Sequence, residues 1–257
     1  MGALHAGHAA LIRRCRAVAD RTVVSIFVNP KQFGPHEDFH AYPKPLRRDL
    51  AVCRDLGVDL VFAPNTDTVY PPGFDTTVKV GDLGEQWEGA VRPGHFDGVA
   101  TVVLKLLTIV APNTAVFGQK DYQQFAIIDR LVLDFHLSVR LLLVPTVREP
   151  DGLALSSRNV YLDNLSRQSA TGISRALRWA KQEIRAGQRN PKRLATRMRA
   201  IIEADGTFVM DYVGFCDPKT LISKQSALPP LVILTAATCR ATGTAHNRRF
   251  IDNILVP

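Results

Sequence analysis

Apolar residues recur along this chain in two alternating rhythms, short unbroken runs and longer stretches at helical spacing. The runs Thr22–Val28, Asp59–Ala63, Thr76–Val80, Thr114–Phe117 and Ser138–Val144 are too short for helices, and Pro, Gly or Asn close most of them. They read as buried strands. Between them, Ala9–Ala19, Leu46–Leu56, Val99–Val110 and Gln123–Phe135 carry apolar positions three and four apart, the spacing of one helix face. Short strands alternating with helices predict parallel βαβ units, whose ligands sit beyond the carboxyl ends of the strands. From about Ser166 the texture changes. Helices over 166–186 and 191–204 come first, and strands over 208–215, 231–237 and 249–256 follow. That order predicts a smaller α+β domain over 165–257, after an α/β domain over 1–164.

Composition narrows the class. Hydrophobic residues make up 46% and charged residues 22% of the 257, enough to fill a packed core and too apolar for a disordered chain. A net charge of +8 favours anionic ligands. Much of it is concentrated where Arg167, Arg175, Arg178, Lys181, Arg185, Arg189, Lys192, Arg193, Arg197 and Arg199 face Glu183 alone in the stretch. Solvated helix faces are the plain reading of that cluster, and a polyanion-binding face is the alternative. Cys15, Cys53, Cys216 and Cys239 lack the close spacing of a zinc site, so reduced and mostly buried thiols are expected. No apolar run reaches membrane-spanning length, and the opening residues are not those of a signal peptide; a cytoplasmic protein is expected.

The candidate chemistry begins with Met1-Gly-Ala-Leu-His-Ala-Gly-His8. His5 and His8 stand three apart at the mouth of the first helix, so both rings can share a face. Free N–H groups and the helix dipole already favour an anion there, and two imidazoles add donors. A phosphate chain fits such a site; histidines that merely cap the helix are the competing reading. Other polar clusters follow strands, namely Asn29-Pro-Lys-Gln32, Gly118-Gln-Lys-Asp121 and Leu153-Ala-Leu-Ser-Ser-Arg-Asn159.

Six motifs then fall in order: the opening octet, Ser25-Ile-Phe-Val-Asn-Pro-Lys-Gln-Phe-Gly34, Arg92-Pro-Gly-His-Phe-Asp-Gly-Val99, Phe117-Gly-Gln-Lys-Asp-Tyr-Gln-Gln124, Asp151-Gly-Leu-Ala-Leu-Ser-Ser-Arg-Asn159 and Arg249-Phe-Ile-Asp-Asn253. Together they resemble the pantoate–β-alanine ligase family (AMP-forming pantothenate synthetases), nearly end to end and most strongly over 1–163. The resemblance implies a Rossmann-like nucleotidyltransferase domain with a parallel sheet plus a smaller C-terminal domain, in a homodimer. It implies ATP, pantoate and β-alanine as substrates, a pantoyl-adenylate intermediate, and Mg²⁺ carried on the ATP phosphates without protein ligands. Membrane or nucleic-acid partners are not expected.

By the same resemblance, His5, His8, Lys120, Ser156, Ser157 and Arg158 are the catalytic set on the ATP phosphates. Met1, Gly2, Gly118, Asp121, Val147 and Leu155 complete the nucleotide site. Asn29, Gln32 and Gln124 hold pantoate through neutral amides. Plainer readings exist for each cluster: Lys120–Asp121 as a surface ion pair, Ser156–Ser157 as a helix cap, and Asn29-Pro30 as a strand-ending turn. Tyr42, Asp49, Arg92 and His95 match family positions with folding or loop support as their expected part, and Trp87 reads as packing.

Four departures accompany the resemblance. The family has a strand and a Pro-Thr pair before the methionine with which this chain opens, so the sheet is expected to lack its first strand. Gln119 stands where the family has Glu, Arg48 where many relatives are acidic, and the 238–247 loop is longer and more polar than the family's glycine turn. The alternatives are an N-terminally shortened, weakly active or inactive homologue, an HxGH nucleotidyltransferase of another substrate, and a polyanion-binding protein.

Overall fold

The computed structural model describes residues 2–35, 39, 42–241 and 247–257. Its contacts divide the chain into two compact units, 1–119 with 123–145, and 120–122 with 146–257. The stretch 146–164, expected in the first domain, therefore groups with the second, as do residues 120–122. Arg148 explains part of this, because it grips Asp252 near the end of the chain at 2.6 and 2.9 Å.

In the first unit the order is α1 (Ala6–Arg16), β1 (Val23–Ser25), α2 (Leu46–Asp55), β2 (Leu60–Phe62), α3 (Thr66–Val69), α4 (Glu88–Val91), α5 (His95–Val110), β3 (Thr114–Gly118), α6 (Tyr122–Asp134, whose first residue clusters with the second unit) and β4 (Arg140–Val144). The expected parallel pairing holds. Val24 lies opposite Val61 in β1–β2, and Val116 opposite Leu142 in β3–β4. The strands form two separate parallel pairs instead of one continuous sheet. Ile12 of α1 joins Leu4, Val24, Ile26 and Cys53 in one apolar cluster. On α5, Val102 and Val103 meet Val69, Tyr70 and Phe27.

The strand expected over 76–80 does not form. Its backbone donors are spent on a helix: Val78 N–H bonds Thr101 Oγ1 at 2.9 Å and Val80 N–H bonds Asp97 Oδ1 at 2.8 Å. β-Branched residues there satisfied the propensity, and side chains of α5 replaced the ladder partner.

The second unit contains α7 (Asn164–Arg185), α8 (Pro191–Ile202), β5 (Phe208–Cys216), β6 (Leu231–Cys239) and β7 (Arg249–Val256). The strands form one antiparallel sheet in the order β5–β6–β7. Helix faces from Ile173, Leu177, Ile184, Leu194, Met198 and Ile202 close over Phe208, Leu231 and Ile233. Asp163 and Asn190 cap the two helices through their side-chain oxygens, as their short polar side chains allow. Cys53, Cys216 and Cys239 are buried free thiols and Cys15 is half-buried; desolvation pushes Cys216 up to about 12. No helix among the described residues is long and apolar enough to cross a membrane.

Candidate active site

The first helix begins three residues earlier than its apolar spacing alone indicates, at Ala6, so His8 lies inside it. His5 is the N-cap. Gly7 N–H donates to His5 Nδ1 at 3.1 Å, and His5 N–H donates to His8 Nδ1 at 3.3 Å. A backbone N–H can only donate, so both Nδ1 atoms are unprotonated acceptors. In the neutral ring the proton then sits on Nε2, which gives each histidine an N–H donor at the opposite side of the ring from its cap. The ring centroids are 4.1 Å apart. Capping and phosphate binding are thus compatible: one nitrogen serves the helix and the other carries an N–H that suits an anion.

The loop leading into this pair is held from below. Asp49, on α2 and 1% exposed, accepts Ala3 N–H at 2.9 Å and Leu4 N–H at 2.8 Å on its two carboxylate oxygens. Gly2 packs against Val28 just beyond β1. Met1 lies outside the described residues.

Past β1, Asn29 caps the short 3-10 helix Pro30–Gln32. Its Nδ2 donates to Gln32 Oε1 at 3.3 Å and to Gly98 O at 3.0 Å. The approach of α5 to this turn requires glycine at 98, since a Cβ there would stand 2.1 Å from the Lys31 carbonyl oxygen. From the start of α5, His95 Nδ1–H donates to the Gln32 carbonyl at 2.7 Å, and Arg92 Nη2 donates to the same oxygen at 3.3 Å. Arg92 Nη1 bonds His95 Nε2 at 3.0 Å, which settles that ring's tautomer. Asn29 and Gln32 are therefore brought together, whereas Gln124 is carried by another element, the first turn of α6. Gly118 ends β3 beside Leu11 of α1.

The second unit gathers the other predicted residues. Leu155 N–H donates to the Val147 carbonyl at 3.0 Å, so these two positions pair across a tight turn at Asp151-Gly152. Gly152 adopts φ +91, which excludes a side chain. Ser156 Oγ accepts Arg158 N–H at 3.2 Å and opens the 3-10 helix Ser157–Tyr161. Asn159, inside that helix, donates to Glu149 Oε1 and the Ala154 carbonyl. Arg167 binds Glu149 and Asp151 at 2.7 and 2.8 Å. Those hydrogen bonds, from Arg167 first and Asn159 next, hold the Glu149 carboxyl below its usual range. Lys120 Nζ lies 3.5 Å from Asp121 Oδ1, and the Lys120 carbonyl accepts Asn253 Nδ2 at 2.9 Å.

Sequence reasoning left Asn253, Arg148, Asp252, Gln123 and Tyr70 without roles. The signal for three of them was present, Asp252 and Asn253 as the last residues of the Arg249–Asn253 motif and Gln123 within the Phe117–Gln124 motif. Gln123 is buried and donates to the carbonyls of Leu83 and Gln86, supporting the loop before α4. Among the described residues no three His, Cys, Asp or Glu gather into a metal-binding group. Of the 238–247 loop, residues 242–246 lie outside the described ones.

A family model for pantoate-beta-alanine ligase matches residues 1–255. The chain is 48% identical over 260 residues to a pantothenate synthetase of Roseiflexus castenholzii, covering 100% of this chain and 90% of that one. It is 51% identical over 258 residues to the pantothenate synthetase of Aquifex aeolicus, covering 98% and 88%. Among solved structures, pantothenate synthetase from Thermus thermophilus superposes with a TM-score of 0.94 at 44% identity, covering 100% and 91%. A pantoate-beta-alanine ligase from Francisella tularensis, complexed with beta-gamma ATP and beta-alanine, gives 0.79 at 35% identity, covering 99% and 87%.

Proposed function

Because the chain belongs to the pantoate–β-alanine ligase family, we propose that its residues divide an ATP-dependent condensation of pantoate with β-alanine as follows. A carboxylate is a poor acyl donor at neutral pH. Its oxygen attacks the α-phosphorus of ATP, forming an O–P bond as the bond to pyrophosphate breaks. The amine of β-alanine then attacks the acyl carbon, forming the amide C–N bond and releasing AMP, while the amine gives up its proton. Negative charge grows on phosphate oxygens in the first step, so fixed donors and cations are what the site must supply.

The single observation that carries this assignment is the pair of histidines turned by their caps so that Nε2 bears the proton, at the N-terminus of a helix. We assign His5, His8, Lys120, Ser156, Ser157 and Arg158 to the triphosphate, where hydroxyls and a planar guanidinium suit phosphate oxygens. Gly2, Gly118, Asp121, Val147 and Leu155 are assigned to the nucleoside side, together with Met1. Asn29, Gln32 and Gln124 form the pantoate subsite, whose neutral amides bind hydroxyl and carboxylate without neutralising the nucleophile. Mg²⁺ is assigned to the ATP phosphates, where it supplies charge neutralisation; cations and hydroxyls fit the phosphates of such a complex. A cytoplasmic homodimer completes the proposal.

The test is release of pyrophosphate and AMP that requires ATP and pantoate together. His8→Ala or Lys120→Ala should lower adenylate formation by about a thousandfold or more while circular dichroism stays unchanged. Survival of turnover within roughly tenfold, about 1.4 kcal/mol of barrier, would remove the altered residue from the catalytic set.

A further inference from the structure

Gln32 can present either end of its amide to a ligand, and the two ends have opposite hydrogen-bonding character. Its orientation is set by Asn29, 2% exposed. The Lys31 backbone N–H only donates, and it meets Asn29 Oδ1 at 3.3 Å. The Gly98 carbonyl only accepts, and it meets Asn29 Nδ2 at 3.0 Å. Both contacts give the same orientation of the Asn29 amide. Tyr70 completes the arrangement: its hydroxyl, 41 positions away in sequence, donates to Asn29 Oδ1 at 2.7 Å, the shortest bond that this amide makes. With two donors on Oδ1, Nδ2 has one hydrogen for Gly98 and one for Gln32 Oε1. Gln32 Oε1 thereby faces Asn29 as an acceptor, and its Nε2 is the donor end for a substrate oxygen.

We propose that Tyr70 is a positioning residue for the acid substrate, fixing through Asn29 the amide polarity by which Gln32 offers N–H donors to a hydroxylated carboxylate. The inference rests on the assignment of Gln32 to the pantoate subsite made above. Tyr70 is suited to the task. Its ring is buried against Phe27 and Phe74, with centroids 6.2 and 5.0 Å away. Lys31 and Lys105 place their ammonium groups 5.3 and 5.9 Å from its ring centroid. Burial pushes the phenol up to about 12, so it stays an O–H donor throughout the physiological range.

The experiment is Tyr70→Phe in the full chain, which keeps the ring and removes only the hydroxyl. The pantoate KM should rise roughly tenfold, the size of one lost hydrogen bond, with the ATP KM unchanged within about twofold. In a Gln32→Ala background the same change should add less than about twofold, because the group that it orients is gone. An unchanged pantoate KM in an active protein, a fall in thermal midpoint as the only effect, or full additivity with Gln32→Ala would each overturn the inference while leaving the ligase reading standing. A wild-type protein without pantoate-dependent AMP release would overturn that reading first, and this inference with it.

Discussion

Asp49 sits on α2, far in sequence from the histidines that it serves, and both its oxygens are committed to the backbone of Ala3 and Leu4. Replacing it by Ala strands the buried Leu4 N–H and the part-buried Ala3 N–H, and a buried donor left unpaired costs about 1–3 kcal/mol, a half-buried one less. Asp49→Ala should therefore destabilise the chain by roughly 2–5 kcal/mol in urea unfolding. Asp49→Asn, which keeps one acceptor, should recover part of that loss. The family resemblance gave Asp49 a folding or loop-support part, and the structure identifies the loop as the one through Ala3 and Leu4. A lone aspartate in a helical stretch looks like a solvated charge, and nothing local reveals that residues 3 and 4 close over it. His5 and His8 were more legible, since spacing alone placed both at a helix mouth. Which ring nitrogen each commits to the backbone needed coordinates.

At the scale of elements, the helices were the readable part and the strands less so. The sequence pattern set α5, α7 and α8 within a few residues. The run 76–80 has strand composition yet hydrogen-bonds to Thr101 and Asp97, since propensity does not specify the partner. Close approach matters at the same scale. Gly98→Ala would drive a methyl into the Lys31 carbonyl and should push α5 off the Asn29–Gln32 turn. The expected result is a lower thermal midpoint together with a pantoate KM raised more than the ATP KM. The turn before Ser156 is tied differently, by Glu149 with Arg167 and Asn159. Because the folded carboxyl is held below its usual range, its contribution is present at neutral pH and is lost as pH falls through its lowered folded value. Thermal midpoints followed from about pH 7 down to about pH 3 should drop less steeply in Glu149→Gln than in the wild type.

Across the whole molecule, the basic excess has a local explanation. Arg167 pairs with Glu149 and Asp151, Arg199 with Glu203, and Arg189 with the Ile184 carbonyl, so part of the arginine cluster on α7 and α8 is engaged within its own unit. Generic duplex DNA should produce no mobility shift near physiological salt; a salt-dependent shift there would restore the polyanion reading. Mg–ATP at about a hundred times its Kd should add roughly 2.7 kcal/mol to stability, and inorganic sulfate at the same concentration much less. By itself, the sequence determined the α/β and α+β classes and the family, and it supplied the residues proposed for the site, because periodicity and ordered motifs are local and survive without coordinates. Only the tertiary structure decided that Asp49 anchors the opening loop, that Tyr70 reaches Asn29, that 146–164 packs with the second unit and that 76–80 is not a strand. Each of those depends on which distant group arrives to satisfy a buried donor or acceptor, and the chain brings that group near only by folding.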